Sequence, residues 1–329
     1  MIKIAQIGVG YWGPNILRNL VANNNFEVVA VCDLSAERGR FVTNLYPEID
    51  FYSDPSDIFN NENIDAIVIS TPVHTHFELA KTALNAGKHI LVEKPMATNS
   101  NEIEQIISIS KKKKLIAMVG HTFLFNNAVR YVKDLIDRGE IGEVRYIYSQ
   151  RLNLGRIRND IDALWNLAPH DISIVQYWLN NLYPLKINKT GMDYVQSGID
   201  DVVFLNLEYP GKIIVNIHVS WLDPHKVRKM TIVGTKKMIV YNDISENKIS
   251  IYDKGIDKMA ILGKDMDFDK PFSSSFNYRS GDIIIPKIKW EEPLKMEIKH
   301  FYDCINENKA CFTGPENAGE VVKILEDAN

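Results

Sequence analysis

From Ile2 to His121 short, mainly apolar runs are separated by amphipathic stretches. Ile2 to Ile7, Glu27 to Asp33, Asp65 to Ser70, Lys88 to Val92 and Leu115 to Val119 are dense in valine and isoleucine. Each reads as a strand, and Asp65 to Ser70, apolar and β-branched, is typical of a buried parallel strand. Between them, Ile16, Leu17, Leu20 and Val21 recur at helical spacing, and Ser35 reads as the N-cap of a helix reaching about Tyr46. Phe51-Tyr52 is a short strand and Asp54-Pro55 opens a short helix. His76 to Ala86 is amphipathic and is closed by Gly87. Asn99 or Ser100 caps a helix ending in Lys111 to Lys114, whose charges suit a helix C-terminus. Strand alternating with helix predicts a doubly wound parallel sheet, with ligands at the carboxyl ends of its strands. Those ends are Gly8–Gly13, Asp33, Ser70–His76, Glu93–Pro95 and Gly120–His121.

After Arg138-Gly139 the pattern changes. Val144 to Leu152 is a long strand, and an apolar helix covers about Ala168 to Leu179. Strands then follow without intervening helices: about 185–192, 201–209, 212–220, 228–233, 236–241 and 248–252. Pro210-Gly211 and Gly234-Thr235 look like hairpin turns between them. Consecutive strands joined by short turns predict a second, α+β domain with a large, mostly antiparallel sheet. One face of that sheet has few helices to cover it, and a second copy of the chain would bury it. Residues 253–282 read as an irregular arm, followed by helices over Pro293–Glu307 and Gly314–Ala328. The expected domains are residues 1–122 and 123–329, with the C-terminal helices able to pack back on the first.

Composition narrows the class. The 329 residues are 45% hydrophobic and 24% charged, as in a water-soluble globular protein, and suit two domains. A net charge of −4 gives no polyanion-binding signal, so no nucleic-acid partner is expected. No apolar run approaches the ~20 residues that span a bilayer. The chain enters a strand at once, so no signal peptide and a cytoplasmic location are expected. The three cysteines are Cys32, Cys304 and Cys311. The last two are seven apart with no histidine or cysteine partner at zinc spacing, so all three read as reduced thiols and no metal site is expected.

The first strand runs straight into Gly8-Val9-Gly10-Tyr11-Trp12-Gly13 and then a helix. In a dinucleotide-binding turn the first glycine permits the turn, the second lets the backbone approach a pyrophosphate, and the third lets helix and sheet pack closely. Asp33 stands 20 residues beyond Gly13, where a carboxylate can accept hydrogen bonds from ribose hydroxyls. The fold class is therefore α/β of Rossmann type, a doubly wound parallel sheet, plus the α+β domain. Asp33 repels a 2′-phosphate and favours NAD over NADP, while Arg38 and Arg40 pull the other way. The competing reading is a glycine turn of another α/β protein, with Asp33 as a helix cap.

Together the glycine turn, Thr71-Pro72 followed by His76, Ala86-Gly87-Lys88-His89 and Glu93-Lys94-Pro95 resemble the glucose-fructose oxidoreductase, inositol dehydrogenase and rhizopine-catabolism (Gfo/Idh/MocA) family. The resemblance runs from Met1 to the final helix. Gln150 to Arg156 and Leu164 to Ile172 resemble, more narrowly, the branch that oxidises sugar nucleotides at C3, including UDP-N-acetylglucosamine 3-dehydrogenases. The resemblance implies catalytic roles for Lys94 and His170 and a cis bond before Pro95. The family's Asp-x-x-x-His pattern has Asn166 in its first position here. An amide cannot act as a general base near neutrality, so the base role falls to His170, aided by Asp171 or Lys94.

Oxidising a secondary alcohol needs a hydride acceptor and a proton acceptor at one carbon. NAD accepts the hydride, an imidazole titrating close to neutrality takes the proton, and a lysine stabilises the developing alkoxide. The expected cofactor contacts are Gly8, Gly10, Tyr11, Trp12, Gly13, Asp33, Ser70, Thr71, Pro72, His76, Glu93 and Lys94. The expected substrate contacts are Lys94, Arg151, Asn153, Arg156, Arg158, Trp165, Asn166 and His170. Each candidate has a plainer alternative. Lys94 is otherwise a surface lysine, His170 a helix-start histidine, and Asp171 a partner of the helix dipole. The arginines are candidates for a pyrophosphate or else a solvated or inter-subunit charge face. His74 and His76 shape a loop more readily than they bind metal; His76 is expected to line the cofactor cleft, and His121 lines it or fills space. The leading expectation is NAD-dependent oxidation of the C3 hydroxyl of a UDP-N-acetylhexosamine, glucosamine or uronate, by a homodimer or homotetramer. The alternatives are a deoxysugar-nucleotide ketoreductase, a free-sugar or inositol dehydrogenase, and a non-catalytic dinucleotide sensor or scaffold.

Overall fold

A computed structural model describes residues 1–258 and 276–328. The chain forms two compact units. The first joins three stretches, Met1–Asn126, Arg158–Tyr183 and Trp290–Asn329; the second joins Asn127–Ile157 and Pro184–Lys289.

The first unit opens with β1 (Ile2–Ile7), α1 (Gly13–Val21), β2 (Phe26–Cys32), α2 (Ala36–Leu45), β3 (Asp50–Tyr52) and α3 (Pro55–Phe59). It continues with β4 (Ala66–Ile69), α4 (His76–Asn85), β5 (His89–Glu93), α5 (Ser100–Lys113) and β6 (Ala117–Gly120). All six strands pair in parallel, in the order β3-β2-β1-β4-β5-β6. The order reverses between β1 and β4, and there the loops after neighbouring strands diverge and leave a crevice for a ligand. Local chemistry agrees with the sequence. Ser35 Oγ accepts from the Arg38 N–H to cap α2, and Asn99 Oδ1 accepts from the Glu102 N–H at 2.9 Å to cap α5.

Both sheet faces are covered. Alternate strand residues Ala5, Ile67, Ile90 and Val119 meet Ala80, Leu84, Ile103 and Ile106 of α4 and α5. The opposite residues Ile4, Val68, Leu91 and Met118 meet Ile16 and Leu20 of α1.

The second unit contains α6 (Asn127–Asp137) and β7 (Val144–Leu152). The chain then returns to the first unit for α7 (Ala163–Trp178) before adding β8 (Lys186–Met192) and β9 (Val202–Tyr209) to the second. β10 (Ile213–Ser220), β11 (Val227–Gly234), β12 (Met238–Asn242), β13 (Ile249–Lys258) and β14 (Phe276–Ile284) complete an eight-stranded sheet. Its order is β14-β13-β12-β11-β7-β10-β9-β8, antiparallel except where β10 runs parallel to β7. Finally α8 (Pro293–Glu307) and α9 (Pro315–Asp327) belong to the first unit. Phe301 and Ile298 of α8 join the α1 face of the parallel sheet, and Val322 of α9 joins the α5 face.

Three local expectations change. The helix expected from Ala168 begins a turn earlier, at Ala163, capped by Asp162, which accepts from the Trp165 N–H at 2.8 Å; Pro169 lies inside it. Residues 253–258 and 276–282 are strand rather than irregular arm, because β13 and β14 pair as neighbours; 259–275 lie outside the described residues. α6 was not expected at all. Its Ala128, Val129, Val132 and Leu135 are buried at helical spacing. No helix among the described residues is long and apolar enough to cross a membrane.

Candidate active site

The glycine turn is shaped by neighbours that forbid side chains. Gly8 has φ +94°, and a Cβ there would lie 2.7 Å from the Ser70 carbonyl oxygen. A Cβ on Gly13 would lie 2.5 Å from Gly8 O, so α1 packs directly on the turn. Gly10 is different: a Cβ there would meet nothing within 4 Å. Packing does not require that glycine, whereas close approach of a phosphate would. No side chain caps the first turn of α1, which leaves its positive dipole end beside that space. The Asp33 carboxylate accepts from the Val9 and Ser35 N–H groups at 2.8 and 2.9 Å. It is thereby fixed at the end of β2, each oxygen keeping a further lone pair for a ribose hydroxyl. These features fit a dinucleotide.

Gln6 also shapes the turn. It is fully buried, and its Nε2 donates to Gly8 O and Gly13 O, each at 2.9 Å, and to Ser70 Oγ at 3.1 Å. Ser70 Oγ donates in turn to Gly8 O at 2.7 Å. One amide thus joins the loops after β1 and β4. Its sequence signal was an uncharged polar residue near the end of the strand, just before the glycine turn. Tyr11 and Trp12 are exposed on the same turn.

The loop after β4 is pinned from beneath. His76 is buried, with Nδ1 2.8 Å from Pro95 O and Nε2 2.9 Å from Thr71 O. Both ring nitrogens face main-chain carbonyls, so His76 couples Thr71 to Pro95. Burial holds its pKa below the ordinary histidine value. Thr71 Oγ1 pairs with Thr75 Oγ1, while Pro72 and His74 are exposed. The Lys94-Pro95 bond is cis.

β5 ends in Glu93 and Lys94. Lys94 Nζ donates to the main-chain carbonyl of Asn166 in α7 at 2.5 Å. In a helix the carbonyl of residue 166 faces the N–H of residue 170, so the ammonium sits one turn from His170. Pro169 has no N–H for the Trp165 carbonyl and loosens the ladder beside this point. The His170 ring packs edge-on against Phe123, centroids 4.9 Å apart. Trp165 packs against the α5-side core, and Asp171 is buried.

Glu93 and His121 feel the Lys94 charge, and Glu297 lies against Glu93. Burial raises the Glu93 carboxyl to about 7, against the opposing pull of the Lys94 ammonium and hydrogen bonds from the Lys94 N–H and the Trp12 indole. Glu297 of α8 is buried, accepts from Thr122 Oγ1 at 2.8 Å, and is raised well above the carboxylate range by burial and by Glu93. His121 is buried and burial lowers it to about 4, so it is neutral; its Nδ1–H donates to Asn317 Oδ1 of α9 at 2.7 Å. The sequence gives little sign of Glu297 or Asn317, which reach the site from helices nearly 200 residues downstream of His121.

The arginines divide. Arg158, in the first unit, forms a two-bond fork with Asp160, Nε to Oδ1 at 2.8 Å and Nη2 to Oδ2 at 2.6 Å. In the second unit, Arg151 is buried mid-sheet, in register with Val219 and Arg228. Asn153 and Gly155 follow β7 alongside Ser220 and Trp221, and Arg156 is exposed.

Comparison with known proteins supplies the context. Residues 2–121 match the NAD-binding Rossmann-fold domain of the GFO/IDH/MocA oxidoreductases, and residues 129–240 match that family's C-terminal domain. Inositol 2-dehydrogenase of Salmonella typhimurium is 28% identical over 187 residues, 55% of this chain and 56% of that protein. The chain thus spans a little over half the length of this curated relative. UDP-N-acetylglucosamine 3-dehydrogenase of Acidithiobacillus ferrooxidans superposes with a TM-score of 0.79 at 21% identity, over 99% of this chain and 96% of that one. A protein of gentamicin A biosynthesis, solved in complex with NAD, superposes with a TM-score of 0.81 at 17% identity, over 99% and 93%. With both domain types present in order, the chain belongs to the Gfo/Idh/MocA oxidoreductase family, and its first domain is that family's NAD-binding Rossmann domain.

Proposed function

We propose that the protein is an NAD-dependent dehydrogenase that oxidises the C3 hydroxyl of a UDP-N-acetylhexosamine, UDP-N-acetylglucosamine or its uronate, to the 3-keto sugar nucleotide. The observation that carries this reading is the Lys94 contact, Nζ at the Asn166 carbonyl one helical turn before His170. When bound, NAD⁺ supplies the acceptor for the hydride leaving the carbinol carbon. The chain's own residues manage charge and proton. The Lys94 ammonium donates to the substrate oxygen and stabilises the negative charge that develops there. His170 accepts the hydroxyl proton. The bond to position 166 uses the main chain, so asparagine in place of the family's aspartate keeps it. That weakens the reading of the chain as a silent sensor.

The sugar-nucleotide assignment is supported by the stretches 150–156 and 164–172 and by likeness over nearly the whole chain to a UDP-N-acetylglucosamine 3-dehydrogenase. A second reading, a dehydrogenase of an inositol or free sugar, is favoured by the inositol 2-dehydrogenase relative. It is also favoured by Arg158, whose fork is occupied by Asp160 and would have to open for a pyrophosphate. Absorbance at the NADH band, with UDP-N-acetylglucosamine, its uronate, N-acetylglucosamine and inositol offered separately, decides between them. Reduction of NAD with the nucleotide sugars is expected; turnover of inositol or the free sugar alone would replace the first reading with the second.

The same proposal includes a second copy of the chain. Tyr146, Ile214 and Phe204 are 47%, 54% and 41% exposed on one face of the eight-stranded sheet, where β7 and β10 pair Tyr146 with Ile214. A face of that composition supports a homodimer or homotetramer.

A further inference from the structure

Three side chains with metal-binding atoms meet at the end of α8. His300 and Cys304 lie one turn apart on that helix, and Cys311 follows in the link to α9. Their ligand atoms all lie within 4.8 Å of one another, and His300 Nε2 is 3.3 Å from Cys304 Sγ. Around a tetrahedral zinc, with bonds of ~2.3 Å to sulfur and ~2.0 Å to nitrogen, neighbouring ligand atoms stand roughly 3.3–3.8 Å apart. The cluster therefore needs only a small contraction. The two cysteines alone made no recognisable metal pattern in the sequence; the partner they lacked is His300, one turn upstream of Cys304.

The histidine is already in the form a metal needs. The Phe312 N–H donates to Nε2 at 2.9 Å, so that nitrogen carries a lone pair and Nδ1 the proton. The Phe125 ring, 5.4 Å away between centroids, packs against the imidazole. Cys304 is fully buried, and two sulfurs and an imidazole suit a borderline-soft cation better than calcium or magnesium. Cys311 lines a cleft of about 240 Å³ with Tyr177, Phe312, Asn317 and Glu320, which gives water a route to a fourth position.

We propose that His300, Cys304 and Cys311 bind a thiophilic divalent cation, zinc in the first place, which clips the α8–α9 link to the end of α8. Each thiol that ligates does so as thiolate, and any proton it still holds leaves to solvent. The Phe312 N–H moves off Nε2 as the lone pair turns to the metal. The link has a position to hold: Thr313 O accepts from the Val119 N–H of β6 at 2.8 Å, and Asn317 binds His121. A cation here would steady the support of His121 without touching substrate.

The test uses the full chain with its thiols reduced, stripped by a chelator and titrated with Co²⁺ and then Zn²⁺. The expected result is stoichiometric cobalt uptake with a sulfur-to-cobalt charge-transfer band and strong tetrahedral visible bands, which zinc abolishes. Cys311→Ser is expected to lose these bands while its NADH binding stays unchanged. Absence of the charge-transfer band in the parent chain, or its persistence in Cys311→Ser, overturns the site. A chain that takes no cobalt after reduction, and is two hydrogens lighter before it, also overturns the site and assigns a disulfide couple instead. Should the variant fail to fold, alkylation of the parent chain decides: zinc protection of both thiols supports the site, and equal labelling with and without zinc overturns it.

Discussion

The two sheets of this protein solve opposite problems. The parallel sheet is covered on both faces by helices, so Ala66 to Ile69 are all buried and the strand reads as a continuous apolar run. The antiparallel sheet alternates instead: along β9, Val203, Leu205 and Leu207 are buried while Phe204, Asn206 and Glu208 are exposed. Burial on both faces leaves the parallel sheet only its strand ends for chemistry, and there Gly8, Asp33, Ser70 and Lys94 gather. The antiparallel sheet keeps a whole face available, suited to meeting something broad. Rigid burial positions a reaction, whereas one-sided burial presents a surface.

The contrast is sharpest at Lys94. Lys94→Ala is expected to lower kcat by ~10³-fold or more, with NADH binding and thermal midpoint nearly unchanged, in stopped-flow absorbance and fluorescence titration. Retained turnover would move the chemistry away from the end of β5. Next come the cores. Phe301 is fully buried beside Phe26, ring centroids 6.3 Å apart, and Phe301→Ala is expected to cost ~3–5 kcal/mol in denaturant unfolding. Ile214→Ser, on the open face, is expected to stay within ~0.5 kcal/mol for the monomer while loosening self-association in ultracentrifugation. Comparable losses at the two positions would erase the distinction between the sheets.

Glycines give a finer comparison. Gly8 and Gly211 share a positive φ, +94° and +77°, but a Cβ at Gly8 strikes the Ser70 carbonyl and one at Gly211 meets nothing within 4 Å. Gly211→Ala should therefore cost only the ~1 kcal/mol of left-handed backbone, and Gly8→Ala distinctly more together with loss of NADH binding. The smallest effect concerns Glu93. Its carboxyl is raised by burial from 4.5 to about 7, so the folded chain holds a proton that the unfolded chain has already lost between those values. Stability falls as pH rises through that window, and Glu93→Gln should flatten the fall. Thermal midpoints of both chains at pH 4, 6 and 8 test this; parallel curves would place Glu93 outside the titrating group.

Much of the parallel sheet was legible because its signals are local. Valine and isoleucine runs, caps at Ser35 and Asn99, and glycines at fixed spacing act within a few residues. What escaped depends on distant packing. Gln6 looks like a polar interruption of β1 until Ser70 arrives beside it. Glu297 and Asn317 acquire their meaning from Thr122 and His121. α6 is a different case, since its buried Ala128, Val129, Val132 and Leu135 already stand at helical spacing in the sequence. The ends of β13 and β14 are polar enough to resemble a loop and become strand by pairing with each other. At Asn166 the residue type speaks only for the side chain, whereas the structure engages the main-chain carbonyl, which no change of residue type reveals.

Two of the helices that cover the parallel sheet, α8 and α9, lie far along the chain from the strands they pack on. Phe301 and Val322 fill hydrophobic clusters whose other members, Phe26 and Ile103 among them, were made hundreds of residues earlier. During translation the part of the nucleotide-binding surface that α8 and α9 cover therefore waits while the eight-stranded sheet is made. A chain stalled before Trp290 would leave that surface uncovered, apolar area of the kind that chaperones and proteases engage.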